Sequence, residues 1–281
     1  HGKTTTSTMI AHILHDSGMD CTAFLGGVSI NYNSNLLFGT EKSIVVVEAD
    51  EFDRSFLTIS PDVAVITSVD PDHLDIYKNK KKFISAFSDF TNKIKRGGTL
   101  FLEENIDMQV INREDISVLR YGFSVSSDCK GTIISTHKNT MRFQVKCNVN
   151  SFDNFSLNMG GEYNVLNAVA AISVANLVGI DSSRVINGIN TFKGIKRRFE
   201  THISSDNLVF IDDYAHHPKE VTESIKAVKM MYPERKITVV FQPHLYSRTK
   251  DFLDEFARSL SLADELILLE IYGAREKQIE G

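Results

Sequence analysis

The chain has 281 residues, 31 basic against 36 acidic for a formal net charge of -5, with 42% hydrophobic and 24% charged residues. That balance excludes a disordered or fibrous protein, and no stretch reaches the roughly 18 uninterrupted apolar residues of a membrane helix. Mild acidity without a basic run argues against nucleic acid as the main partner, and the length accommodates about two domains.

In chain order, Thr4 to Asp16 reads as a helix, because Met9, Ile10, Ile13 and Leu14 recur at three- and four-residue spacing and Gly18 follows as a stop. Ile44 to Val47 and Val63 to Ile66 are short β-branched apolar runs, the expected look of parallel strands buried on both faces. Phe83 to Ile94 is amphipathic and closes on Gly97-Gly98, and Thr99 to Leu102 gives another strand. Alternation of strands and helices predicts βαβ units around a mostly parallel sheet. From Ser117 to Leu157 the period changes to two, most clearly over Thr140 to Cys147 after the turn-like Lys138-Asn139, and this predicts antiparallel strands. Tyr163 to Gly179 returns to helix. Leu208 to Ile211, Ile237 to Phe241 and Glu265 to Leu269 read as strands, with helices from about Pro218 to Met231 and from about Thr249. The expected architecture is α/β: a central phosphate-loop ATPase domain over 1–203 with a mostly parallel sheet, then an incomplete Rossmann-like domain over 204–281. Cys21, Cys129 and Cys147 are odd in number and far apart, so they read as reduced thiols of a cytoplasmic protein.

The first residues, His1-Gly2-Lys3-Thr4-Thr5-Thr6, match the second half of a phosphate loop, so the chain reads as part of a longer one. A helix starting at Lys3 aims its N–H groups at a phosphate, Lys3 reaches the β and γ phosphates, and the Thr4 hydroxyl reaches Mg²⁺. A Thr-rich helix cap is the alternative. Glu48-Ala49-Asp50-Glu51-Phe52-Asp53 places four carboxylates directly after a strand, where ligands of open α/β sheets bind. One or two suffice for a hard cation, and a solvated acidic turn is the other reading. Asp70-Pro71-Asp72-His73-Leu74-Asp75 has the same placement after the next strand and completes one constellation beside the loop. Asn164 and Asn167 stand three apart at a helix start and suit an adenine edge, because an amide both donates and accepts; helix capping explains them equally. Lys193, Lys196, Arg197 and Arg198 lie near the proposed boundary, where phosphoryl transfer recruits cations, although a surface charge run looks the same. Asp212 to Pro218 and Gln242 to Thr249 are dense in polar groups at strand ends, as a substrate site requires.

These segments, taken in order with Asp72-His73-Leu74-Asp75, Tyr163 to Ala168 and Lys196-Arg197-Arg198-Phe199-Glu200, resemble the Mur ligases over nearly the whole chain. The resemblance implies a three-domain cytoplasmic enzyme of peptidoglycan precursor synthesis, of which the domain binding the UDP-sugar and part of the last domain lie outside this sequence. It implies ATP and Mg²⁺ as cofactors, and UDP-N-acetylmuramate and L-alanine as substrates. ATP converts the muramate carboxylate to an acyl phosphate, and the amine of L-alanine attacks it to give an amide, ADP and phosphate. By position, His1, Gly2, Lys3, Thr4 and Thr5 bind ATP phosphates, and Thr4, Glu48 and His73 hold metal. Asn164 and Asn167 resemble an adenine-contacting pair, Arg198 and Asp213 nucleotide contacts, and Tyr214, His216, His244 and Arg248 substrate contacts. Lys3, His73, Glu48 and Arg198 form the expected catalytic set. Leu245 stands where many relatives have arginine, and Ser88 lies near the position of a carbamylated lysine in several Mur ligases, so that lysine is not expected. Two alternatives stay open: a murein-tripeptide recycling ligase acting on the same muramate, and a non-catalytic phosphate-loop regulator.

Overall fold

The structure is a computed structural model and describes residues 1–52, 54–70, 77, 80–107, 113–148, 150–274 and 276–277. It divides into two compact units. The first comprises His1–Ser135, Met141–Asn158 and Tyr163–Lys196, and the second Thr136–Thr140, Met159–Glu162 and Arg197–Gly281.

In the first unit, α1 (Lys3–Asp16) starts directly after Gly2, whose φ of 79° turns the chain into the helix, and Thr6 N–H closes the first turn on the Gly2 carbonyl at 2.9 Å. A three-stranded sheet of order β2-β1-β3 lies beside it, built from β1 (Cys21–Ser29), β2 (Ser34–Leu37) and β3 (Ile44–Val47). β1 pairs parallel with β3, Phe24 opposite Val47. The six-stranded sheet runs β4-β5-β6-β7-β8-β9: β4 (Val63–Ile66), β5 (Thr99–Glu103), β6 (Ser117–Gly122), β7 (Cys129–His137), β8 (Thr140–Cys147) and β9 (Asn150–Leu157). Among the described residues the unit also has helices α2 (Lys80–Thr91), α3 (Glu162–Leu177) and α4 (Ser182–Thr191).

The core follows from the sequence pattern. Phe83, Phe87 and Phe90 of α2 share one cluster with Ala64 and Ile66 of β4, Leu100 and Leu102 of β5, and Tyr77. On β8 the alternation places Met141, Phe143, Val145 and Cys147 inside, and Phe143 stacks on Phe155 of β9 with centroids 4.9 Å apart. Val165, Ala168, Val169, Ala170, Ala171 and Ile172 of α3 are all fully buried, so small side chains let neighbouring backbones approach on every side.

Three expectations need correction. β6 does not belong to an antiparallel set: it pairs parallel with both β5 and β7, and the antiparallel partners are β8 and β9. Period two reports one buried face and is blind to strand direction. β3 is not buried on both faces, since Val45 is 58% exposed and Val47 43%. Cys129 and Cys147 are joined in a disulfide, while Cys21 is a buried free thiol. The turn Lys138-Asn139 folds β7 back along β8 and brings the first residue of one strand beside the last of the other, which spacing in sequence does not reveal.

The second unit contains the antiparallel pair β10 (Glu200–Ser204) and β11 (Val209–Asp212), helix α5 (Pro218–Met231), the parallel pair β12 (Thr238–Phe241) and β13 (Glu265–Leu268), and helices α6 (Tyr246–Asp251) and α7 (Leu253–Leu260). Val221 and Ile225 of α5 close on Phe241, Phe256 and Leu260. His217 caps α5 in a capping box with Glu220, and Pro218 follows in the first turn. Among the described residues no helix is long and apolar enough to cross a membrane.

His12 fixes α1 against the rest of the first unit. It is 3% exposed, with Nδ1 2.7 Å from the Tyr32 hydroxyl and Nε2 3.1 Å from Thr191 Oγ1. Burial lowers its pKa to about 4, Asp16 opposing and His15 assisting. An unfolded chain takes up this proton near pH 6.5, so the contribution is intact above that pH and is lost as pH falls toward 4, by about 3 kcal/mol for the full shift. Urea unfolding should therefore show a lower midpoint at pH 5 than at pH 7, and His12→Gln should flatten that slope; equal slopes would refute the assignment.

Candidate nucleotide and substrate sites

Four neighbouring features of the first unit meet at the start of α1. Thr4 Oγ1 donates to Glu48 Oε1 at 2.8 Å, and the Gly26 N–H donates to Glu48 Oε2 at 2.7 Å. Glu48 is the residue after β3, and its own N–H bonds the Phe24 carbonyl at 3.0 Å, so the ladder carries the carboxylate to the helix. A Cβ on Gly26 would lie 2.3 Å from Glu48 Oε2; glycine is what admits the side chain. Lys3 contacts the Glu51 carboxylate and stands 3.9 Å from Asp50. His1 Nε2 is 3.9 Å from Asp70, and Thr67 Oγ1 donates to the His1 carbonyl at 2.6 Å. Thr5 is buried.

Asn164 and Asn167 of α3 are both buried, 1% and 8% exposed. Asn167 Oδ1 accepts from Thr6 Oγ1 at 3.2 Å and lies where a Gly2 Cβ would come, at 2.5 Å. The structure thus brings Lys3, Thr4, Glu48 and Asn167 around one helix start. His73, with Asp53, Asp72 and Asp75, lies outside the described residues.

The fit of the implied ligands is read from this donor set. A carboxylate and a hydroxyl are hard oxygen donors suited to Mg²⁺, and a lysine at the N-terminus of a helix suits a polyphosphate. Ser88 of α2 bonds the Ile84 carbonyl through its hydroxyl at 3.3 Å.

The second unit holds its own polar cluster. Arg198 lies over the Tyr214 ring at 4.9 Å and Arg197 at 5.4 Å. Burial pushes the Asp213 carboxyl up to about 6, against the pull of a Ser224 hydrogen bond and the Arg198 charge. His216 Nδ1 is 2.9 Å from the Tyr214 carbonyl, whereas His217 bonds the Lys219 N–H at 3.3 Å, so the adjacent imidazoles diverge. The His216 and His244 rings are 6.4 Å apart, and Arg248, 8% exposed, approaches His244 Nδ1 at 3.5 Å. Burial first, then Arg248 and His216, lowers the His244 pKa.

Leu245, between these two, has φ of 73° and is held there by its N–H on the Tyr272 carbonyl at 2.9 Å and its carbonyl on Thr249 Oγ1 at 2.7 Å. Strain of this kind persists only where surroundings over-determine it. Sequence reasoning passed over Tyr272, whose ring lies 5.6 Å from His244, and Glu276, which accepts from Ser247 N–H at 2.9 Å. Both follow the last strand, the position that had already marked the other polar segments.

A mostly parallel sheet with a Lys-Thr helix start facing carboxylates at a strand end defines the class, an α/β protein of the phosphate-loop kind. The Mur ligase middle domain matches residues 1–175 and the Mur ligase glutamate ligase domain residues 197–280, so the chain belongs to the Mur ligase family. Proteins named UDP-N-acetylmuramate--L-alanine ligase from Cytophaga hutchinsonii and Phocaeicola vulgatus are 46% and 43% identical to it over its whole length. The chain spans 61% of each of those relatives. Among solved structures, the UDP-N-acetylmuramate-alanine ligase of Thermotoga maritima matches with a TM-score of 0.80 and 29% identity, over 96% of this chain and 60% of its own. A murein peptide ligase from Psychrobacter arcticus matches with a TM-score of 0.66 and 28% identity, over 95% and 61%.

Gly2 tests the geometry of the loop. With positive φ and Asn167 Oδ1 in the way, Gly2→Ala should cost about 1–3 kcal/mol in urea unfolding. A variant as stable as the wild type would show that the helix start is less tightly fitted to α3 than described.

Proposed function

We propose that this chain forms the ATP-handling part and a substrate-handling part of a cytoplasmic ligase that joins L-alanine to UDP-N-acetylmuramate in peptidoglycan precursor synthesis. The observation that carries the reading is the Glu48 carboxylate on the Thr4 hydroxyl, beside Lys3, at the start of α1. The curated relatives named for alanine ligation, at 43–46% identity, support this over the tripeptide-recycling alternative. Polar clusters in the second unit support an enzyme over a nucleotide-binding regulator.

A carboxylate is a poor electrophile, and phosphorylation gives it a leaving group. Lys3 and the N–H groups at the start of α1 spread negative charge off the phosphoryl group as it moves from ATP. Thr4, Glu48 and His73 would hold Mg²⁺, which supplies further neutralisation of that charge. Asn164 and Asn167 serve the adenine end, and Arg198 and Asp213 serve as further nucleotide contacts.

Tyr214, His216, His244 and Arg248 serve the acceptor substrates. The Arg248 guanidinium has donors alone, so His244 accepts from it at Nδ1 and carries its hydrogen on Nε2. Arg248 and His244 therefore present N–H donors suited to a carboxylate. His216 Nδ1 donates to the Tyr214 carbonyl at 2.9 Å and faces the Glu220 carboxylate at 3.5 Å, which holds the ring in place. The amine of the incoming amino acid must be neutral before it attacks the acyl phosphate.

The test is ADP release by the full-length gene product with UDP-N-acetylmuramate and, in turn, L-alanine, glycine, L-serine and the murein tripeptide. L-alanine should be fastest; release no faster with it than with the others would defeat the assignment. His73→Ala should lower turnover by about two orders of magnitude or more, and near-normal rates would remove His73 from the metal site.

A further inference from the structure

The described carboxylates after β3, Glu48, Asp50 and Glu51, are not equivalent. Glu48 is engaged by Thr4 and Gly26, and Asp50, more exposed, accepts from the Phe52 N–H of its own loop at 3.2 Å. Glu51 is the buried one, 8% exposed, and its carboxylate contacts the Lys3 ammonium. The loop is built to keep it there. The buried Tyr77 hydroxyl donates to the Glu51 carbonyl at 2.5 Å, and the Arg54 N–H donates to the same oxygen at 3.2 Å. Arg54, at φ 60°, turns the chain into a short 3-10 helix (Ser55–Thr58) and lays its guanidinium 5.1 Å from the centre of the Tyr77 ring.

Lys3 carries one positive charge and has three claimants for it: this fixed carboxylate, the more exposed Asp50 carboxylate 3.9 Å away, and a nucleotide polyphosphate. From the contact and its scaffolding we infer that Glu51 is a positioning residue that acts through Lys3, holding the ammonium as a resident counter-ion and setting how tightly the site retains nucleotide. The inference rests on the reading of Lys3 as a phosphate ligand. Because the pair is shielded, with side chains 32% and 10% exposed, removal of one partner leaves the other seeking a charge. Loss of the Glu51 charge therefore strengthens Lys3 toward phosphate, whereas a residue that merely supports the fold would weaken nucleotide binding when replaced.

The experiment is calorimetric titration of ADP with Mg²⁺ into the full-length gene product, wild type against Glu51→Gln, Glu51→Ala and Glu51→Asp, with thermal unfolding of each. Gln and Ala should tighten ADP about fivefold, the size of a modest ion pair, and Asp should stay near wild type. In steady state the KM for ATP should fall with Gln while the KM for L-alanine stays constant. ADP binding unchanged or weakened in both neutral variants overturns the inference. Wild-type protein that binds no ADP overturns instead the nucleotide reading on which it rests, and the two failures are told apart by the wild-type titration alone.

Discussion

The hydrogen bond from Thr4 to Glu48 is the constraint on which the first unit turns. It ties the first turn of a helix to the end of a strand 44 residues later, and the second oxygen of the same carboxylate is held by a backbone N–H of a third element. Such an arrangement tolerates little variation around it. Gly26 has to lack a side chain, β3 has to pair parallel with β1 so that residue 48 arrives at the right height, and α1 has to begin at residue 3. Each condition is local, yet together they place a hard oxygen donor, a hydroxyl and an ammonium within one small volume.

Much of this was legible in the sequence, and the parts that were not share a cause. Ile44–Val47 and Val63–Ile66 match strands to the residue, because four β-branched or small apolar residues between polar ends leave little alternative. Helix α5 is equally plain, since Pro218 marks its first turn and His217 with Glu220 caps it. By contrast β1 contains Gly26-Gly27, which reads as a break, and the polar α4 carries few apolar markers, so neither declared itself. Pairing direction for β6 and the approach of Cys129 to Cys147 depend on which strands lie side by side. A one-dimensional pattern carries burial, and it carries neighbours poorly.

The same division holds for the candidate sites. The phosphate-loop motif pointed to Lys3 and the acidic strand end to Glu48, polar strand ends marked the segments that hold Asp213, His216, His244 and Arg248, and the individual roles of those four came from the family resemblance. What composition could not rank was the acidic run itself: four carboxylates look alike until the loop turns at Arg54 and the Tyr77 hydroxyl fixes one of them inward. Glu276 and Tyr272 escaped for the opposite reason, being scattered residues that gain meaning from the bonds they make to Ser247 and Leu245.

Leu245 illustrates where the information for a loop resides. Its left-handed backbone is not its own preference; the Tyr272 carbonyl on one side and Thr249 on the other hold it in place. Position 245 accordingly has a backbone that favours glycine and needs its N–H, so proline and β-branched residues are excluded there, and the conformation between His244 and Arg248 is held by its neighbours. Glycine at 245 would thus relieve strain while keeping both bonds, whereas a change at Thr249 would release the loop from one of its two anchors.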